Sequence, residues 1–346
     1  MSKKYKQFIS NKGKIYIGVG ITAAILFLVL LINLPIQGTN SKEVLFEIKE
    51  GASLSQIALD LKKSNLVQSA TLFKWVSLLT GKDKRFRSGQ YLIKGKVSLA
   101  KLIGLFEQGK IILLQFTIPE GLRMKEIFAK IRAAGLANTS KYEVLSTDQT
   151  FIKTLGIPIP VTTLEGFLFP ETYMFSKNSS EKVVLRKMVR TFFQNLPMDF
   201  KTRASKLNLS FYDAITLASI IEKETGKNSE RKLISSVFHN RLRIKMPLQT
   251  DPTVIYGIKN FNGNLTRKHL RTKTPYNTYI ISGFPPTPIS NPGIDSLAAA
   301  ISPIKSDYLF FVGTGEGKHK FSAEYKDHKK AVVKYQRKRR KNYRSY

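Results

Sequence analysis

The sequence predicts an α+β fold: a single N-terminal transmembrane helix, a small βααβ subdomain and a larger α+β domain. Three observations carry the prediction. Ile15–Ile32 is an apolar run of eighteen residues without a charge, close to the shortest helix that spans a bilayer. From residue 44 to residue 140, short β-patterned stretches alternate with amphipathic helical ones. After residue 140 the composition shifts to longer helical patterns, then to a segment rich in Pro, Asn, Gly and Tyr between Pro247 and Pro303. Loops of that kind commonly carry sites on a rigid scaffold.

Residues 1–14 place Lys3, Lys4, Lys6, Lys12 and Lys14 ahead of the apolar run. The positive-inside rule puts this end in the cytoplasm and the chain beyond about residue 40 outside. Asn33 and Leu34 extend the span to 15–34, and residues 35–43 read as a linker. A cleaved signal peptide competes with an anchor, but the run is long for one and Ile36-Gln37-Gly38 is a poor cleavage site. No second apolar run of that length occurs, so a single-pass protein is expected.

The chain has no cysteine, which excludes disulfides and thiolate chemistry. His239, His269, His319 and His328 are scattered without ligand spacing, so neither a catalytic metal nor a cofactor is expected. The net charge of +33 calls for an anionic partner. Twelve Lys or Arg lie from Lys318 onward, ending in Arg337–Lys341 and Arg344; such runs are usually solvated tails. No nucleic-acid module accompanies them, so wall polymers or lipids are expected rather than specific nucleic acid.

Val44–Ile48 has strand character and Glu50-Gly51 ends it. Ser53 caps a helix with Leu54, Ile57, Ala58 and Leu61 on one face. Helices over Ser69–Leu79 and Ser98–Gln108 and a strand over Gly89–Ile93 complete a unit of residues 44–110 that resembles a LysM domain, a small glycan-binding module. A connecting unit, residues 111–140, holds a strand at Leu113–Ile118 and a helix at Met124–Ala134 closed by Gly135. Ile48-Lys49-Glu50-Gly51 and Ile118-Pro119-Glu120-Gly121 fall at equivalent places, a degenerate strand–turn–helix repeat. Residues 141–335 hold helices at Glu181–Leu196, Phe211–Thr225, Ser229–Arg243 and Ala323–Tyr335, with a buried strand at Tyr308–Val312. Residues 336–346 form the basic tail.

Glu222 is the leading candidate for chemistry. It ends the apolar run Leu217–Ile221; helical spacing puts Ser219, Ala218 and Ile215 on its face and turns Glu224 away. Small Ala218 and Ser219 leave room for a bulky ligand. Apolar neighbours such as Ile215 and Ile221 disfavour the ionised form, as a general acid requires, and such an acid can protonate a glycosidic oxygen. The competing reading is a surface Glu-Lys-Glu turn closing a core helix. Two other motifs are set aside. Gly313–Lys318 has three residues where a phosphate loop needs four, and reads as a hairpin turn. Ser302-Pro303-Ile304-Lys305 carries a proline inside the helix that a Ser-x-x-Lys site needs.

Four ordered stretches resemble the endolytic murein transglycosylase, or YceG-like, family: Leu217–Gly257, Leu164–Tyr173, Thr274–Tyr279 and Gly283–Gly293. The resemblance covers nearly the whole chain, with Phe284 and Thr287 as departures. It implies a bacterial inner-membrane enzyme whose catalytic domain, residues 141–335, lies outside the cytoplasm. It implies that Glu222, in the Ser-Ile-x-Glu-Lys-Glu motif, is the catalytic acid. The implied reaction is cleavage of the MurNAc–GlcNAc β-1,4 bond within nascent peptidoglycan strands. The 6-hydroxyl of the muramoyl ring closes on C1, leaving a 1,6-anhydro end and stopping elongation. Glu222 would give its proton to the leaving oxygen and then take the 6-hydroxyl proton, so one carboxyl suffices where hydrolases use two. The implied partners are glycan strands, the membrane and peptidoglycan synthases.

Among the other motif residues, Gln249, Thr253, Tyr276 and Asn277 suit sugar binding or loop architecture. Asp251 is the nearest candidate for a second acid, although Gln249–Thr253 reads as a capped turn. Glu165 and Glu171 line or support the groove. A non-catalytic wall-binding scaffold is the alternative function. A pyridoxal-phosphate lyase is set aside because no cofactor lysine site can be identified.

Overall fold

The computed structural model describes residues 43–337 except Lys96, Ala137, Asn138 and Glu316, together with scattered positions between Tyr16 and Leu34. Half of the anchor expected at 15–34 lies outside the described residues, and the basic N-terminus and the tail beyond Arg337 lie wholly outside them. Among the described residues no helix is long and apolar enough to cross a membrane. The chain divides into two units, Met1–Leu114 with Ser176–Asn178, and Gln115–Phe175 with Ser179–Tyr346. Both mix helix and strand, so the architecture is α+β.

In the first unit β1 (Glu43–Ile48) pairs antiparallel with β2 (Gly89–Lys94), from Glu43 opposite Lys94 to Ile48 opposite Gly89. The two-residue alternation of a strand turns Phe46, Ile48, Tyr91 and Ile93 to one buried face. Helices α1 (Leu54–Lys63) and α2 (Ala70–Leu79) lie between the strands in sequence, and α3 (Leu99–Gln108) follows them. Each starts where a serine hydroxyl accepts a free backbone N–H: Ser53 from Gln56, Ser69 from Leu72, Ser98 from Lys101. Phe106 closes the core, with ring centroids 5.8 Å from Phe46, 6.3 Å from Phe73, 5.6 Å from Phe86 and 4.8 Å from Tyr91.

β3 (Leu113–Thr117) pairs with β4 (Thr172–Ser176), a strand the sequence pattern did not announce, and most of both strands belongs to the second unit. Helices α4 (Met124–Ala133), α5 (Glu181–Asn195), α6 (Phe211–Glu224) and α7 (Asn228–Arg243) form its helical body, joined by shorter helical turns. α6 is the central element: Ala214 through Ile221 are all buried, so it is covered on every side. It packs against α7 and against α9 (Ile294–Ala300), which lies in the segment read as mostly loop, as does α8 (Asp251–Tyr256). The chain then forms the antiparallel hairpin β5 (Phe310–Gly313) and β6 (His319–Ser322), followed by α10 (Tyr325–Val332) and a π-helical turn over Val333–Arg337. The hairpin confirms the turn read at Gly313–Lys318, but its first strand starts at Phe310, and Tyr308 is exposed. Gly51 and Gly121 both take a left-handed φ, +76° and +74°, so the two Glu-Gly turns of the repeat share one backbone form.

Replacing Phe106 by Ala empties the space between four rings. It is expected to lower the stability of the first unit by about 3–5 kcal/mol, read by urea unfolding; a loss below about 1 kcal/mol would mean that this ring is not the centre of the core.

Candidate active site

Glu222 sits two residues from the C-terminal end of α6, and donors meet both of its oxygens. Oε1 accepts from Arg231 Nη2 at 3.0 Å, and Oε2 accepts from the Gly293 backbone N–H at 2.9 Å. The apolar setting expected for this carboxyl is therefore not what the fold builds. The side chains of Glu222 and Arg231 are each 5% exposed. A guanidinium that far from water must be met by partners. Arg231 Nε donates to Ser296 Oγ at 2.9 Å. Its Nη2 stands 3.5 Å from Glu120 Oε2, and its Nη1 3.9 Å from Asp295 Oδ2. Glu120 and Asp295 are the open side of the cluster, with side chains 44% and 50% exposed. Three carboxyls thus face one guanidinium. Burial first, then the charge of Glu222, hold the Glu120 carboxyl above the usual carboxylate range, against the pull of Arg231.

The chain segments that carry these groups are tied by backbone hydrogen bonds. Gly121 N donates to Asn291 O at 3.0 Å, and Asn291 N donates to Leu122 O at 2.9 Å, so the Glu120-Gly121 turn docks on the loop before α9. The buried Asn291 side chain completes the tie. Its Oδ1 accepts from Gly166 N at 3.0 Å and Leu168 N at 2.8 Å, and its Nδ2 donates to Leu122 O at 3.0 Å and Glu165 Oε1 at 2.8 Å. The same loop is fixed to α6, because Ser219 Oγ accepts from Ile289 N at 3.0 Å and Ser290 Oγ donates to Ser219 O at 3.1 Å. The room that Ser219 leaves on α6 is therefore filled by the chain itself, not held open for a ligand. A Cβ on Gly293 would stand 1.8 Å from Glu120 Oε1, so a larger residue there displaces the Glu120 carboxyl.

The motif residues divide between this cluster and its supports. Glu165 is buried in the tie, accepting from Met124 N at 3.0 Å and Tyr256 OH at 3.0 Å besides Asn291. Burial pushes its carboxyl up to about 7. Asp251 opens α8 and accepts from Tyr279 OH at 2.7 Å. It neighbours Glu224, which accepts from Thr250 Oγ1 and is pushed up to about 7, chiefly by burial. Asp251 thus belongs with the acid that points away from Glu222. Thr253 is fully buried and donates to Thr250 O at 2.8 Å. Asn277, also buried, donates to the carbonyls of His269, Leu270 and Thr272. Both spend their polar groups inside the loop. Tyr276 OH shares a 2.9 Å bond with Thr287 Oγ1 and its ring lies 4.9 Å from that of Tyr256. Gln249 is exposed in a left-handed turn, φ +49°, its backbone N–H on Thr278 O at 3.0 Å. Glu171 accepts from its neighbour Thr172 N at 2.8 Å.

Arg231, Glu120, Asp295 and Asn291 did not stand out in the sequence as site residues. Glu120 had a signal, as the acid of the repeated Glu-Gly turn. Arg231 lies in the helical run Ser229–Arg243, where nothing local sets it apart from the run's other charges. Among the described residues no group of three or more His, Cys, Asp or Glu could hold a metal ion.

Residues 46–334 match the model of the YceG-like family. The chain is 33% identical over 320 residues to the endolytic murein transglycosylase of Bacillus subtilis (strain 168), covering 87% of each protein. It is 29% identical over 338 residues to the endolytic murein transglycosylase of Streptococcus pneumoniae (strain ATCC BAA-255 / R6), and spans 60% of that protein's length. A crystal structure of a YceG-like protein from Listeria monocytogenes superposes with a TM-score of 0.58 at 31% identity, covering 84% of this chain and 99% of that one.

Two outcomes follow from the geometry. Gly293→Ala keeps an ordinary backbone angle, φ −80°, yet puts a methyl where Glu120 lies. It is expected to lower activity while thermal unfolding changes little; unchanged activity would mean that the position of Glu120 does not matter. Glu165 holds its proton more tightly folded than unfolded, so it stabilises at low pH and that gain is lost as pH rises from about 4.5 through about 7. Unfolding of wild type and Glu165→Gln from pH 4 to pH 8 should show the wild type losing up to about 3 kcal/mol relative to the variant. A difference independent of pH would contradict the buried-carboxyl account.

Proposed function

The chain belongs to the YceG-like family, and on that premise we propose that it is an endolytic peptidoglycan lytic transglycosylase with Glu222 as catalytic acid and base. One observation carries the assignment: the Glu222 carboxyl, oriented by Arg231 and the Gly293 N–H, stands beside the open acids Glu120 and Asp295. Glu222 protonates the oxygen between muramic acid and glucosamine, and the C1–O bond breaks. The 6-hydroxyl of the same muramoyl ring then bonds to C1 and returns its proton to Glu222. Water is not consumed. The positive charge that develops at C1 lies next to a cluster in which carboxyls outnumber the guanidinium, a fixed field of the right sign. Arg231 and Gly293 keep the Glu222 carboxyl in one orientation through both proton transfers.

Glu120 tunes the pair. While protonated it leaves Arg231 to Glu222; once ionised it competes for the same nitrogen. Should water be activated instead, Glu120 rather than Asp251 is the second acid beside Glu222. The non-catalytic scaffold is not favoured, because the relatives are named as enzymes.

The apolar run Ile15–Ile32 behind five lysines supports a single-pass anchor in the bacterial inner membrane, with the catalytic domain of residues 141–335 outside the cytoplasm. Residues 44–110 act as a LysM-like glycan module. A groove of about 190 Å³ lined by Lys49, Gly51, Leu54, Asp83 and Ser88 among others supports that reading. An anchored cutter of new strands works beside the synthases that extrude them, and its cuts end elongation.

Glu222→Gln is expected to lower the rate on purified uncrosslinked glycan strands by about 10²–10⁴-fold, with a lower unfolding temperature because buried Arg231 loses its nearest charge partner; retained activity would remove Glu222 from the chemistry. Glu120→Gln removes a like charge beside Glu222 and leaves Arg231 to Glu222 alone, which disfavours the protonated acid, so its activity should fall off at lower pH than the wild type's. A profile that extends to higher pH instead would show that the Glu120 charge does not act on Glu222.

A further inference from the structure

Helix α2, with sequence ATLFKWVSLL, is apolar on both sides. Phe73 and Val76 enter the core of the first unit. On the other side Trp75 is 59% exposed and Leu79 75%, with Leu78 exposed between them and Leu59 of α1 exposed nearby. A helix that is apolar all round is normally covered all round, and a joined apolar patch marks an interaction surface. Leu59, Ala70, Lys74, Trp75 and Leu78 line an open groove of about 550 Å³. Lys74 Nζ reaches across it to Ser55 Oγ at 2.9 Å.

We propose that this face rests in the headgroup layer of the membrane that carries the chain, against anionic lipid. The inference rests on the reading of residues 15–34 as an anchor. Three observations select lipid as the occupant. Residues 35–42 are the whole tether between that segment and β1, a reach of at most about 30 Å. A unit held that close meets the bilayer surface continually. The face pairs an indole and leucines with exposed lysines, Lys62, Lys63 and Lys74, on the same two helices. That is the composition of an interfacial helix: rings at the headgroup level, ammonium groups on anionic phosphates. A second copy of the chain would set lysines against lysines across a two-fold axis, whereas a phosphatidylglycerol surface complements them.

Trp75 is the chain's one tryptophan, so its emission reports this face alone. The test uses the full chain in vesicles of phosphatidylglycerol and phosphatidylethanolamine, with and without lipid brominated near the head of the acyl chain. Alkaline extraction and flotation read the anchor separately. The expected result is a chain that floats after extraction, a blue-shifted emission that aqueous acrylamide barely quenches, and loss of most of that emission to brominated lipid. In vesicles of phosphatidylcholine alone the loss should shrink. A floating chain whose Trp75 is quenched by acrylamide and untouched by bromine overturns the inference and leaves the anchor standing. Protection from both quenchers also overturns it, because protein then covers the face. A chain that does not float removes the tether and the inference with it.

Discussion

The site depends on one buried arginine. Arg231 is almost wholly removed from water, and an unpaired guanidinium there would cost several kcal/mol. Its five donors are therefore distributed over Glu222, Ser296, Glu120 and Asp295. These residues come from α6, from the turn before α4 and from α9. Satisfying one cation thus draws three distant parts of the second unit to one point. Such a pair adds little net stability over an apolar core. What it supplies is orientation: a carboxyl fixed from both oxygens, with further acids at the edge open to solvent.

Asn291 does the complementary work on the backbone. It bridges the Glu120-Gly121 turn, the Glu165–Leu168 segment and the loop before α9. Each of these carries unpaired backbone groups that burial would otherwise leave unsatisfied. Glu165 belongs to the same network, which accounts for an acid inside the unit that makes no approach to Glu222's partners. The second buried acid, Glu224, holds α6 to the Thr250-Asp251 turn. α6 therefore ends in two carboxyls on opposite sides, one in the open cluster and one that fastens the helix.

Local chemistry was legible in the sequence, and pairing at a distance was not. Ser53, Ser69 and Ser98 announced three helix starts, and the apolar run of α6 announced its burial and the placing of Glu222 at its end. β4 was missed because five residues after a proline carry no decisive alternation; only its pairing with β3 makes it a strand. α9 was missed because Leu297–Ala300 is short and sits in a proline-rich stretch. Nothing local marked Arg231 among the charges of its helix, since the partners that meet it include Ser296 and Glu120, 65 and 111 residues away. The small residues beside Glu222 were visible, but what fills the space by Ser219 is a loop about 70 residues downstream. Family resemblance singled out Glu222 as the proposed catalytic acid; the fold supplied its partners.

In the proposed reaction Glu222 drives an internal ring closure rather than attack by water. The most direct measurement is cleavage of purified glycan strands in heavy-oxygen water, with mass spectrometry of the new muramic acid ends. The account predicts 1,6-anhydro ends that lack the elements of water and carry no heavy oxygen. Reducing ends labelled at C1 would contradict it, and would make the enzyme a hydrolase using a second carboxyl beside Glu222.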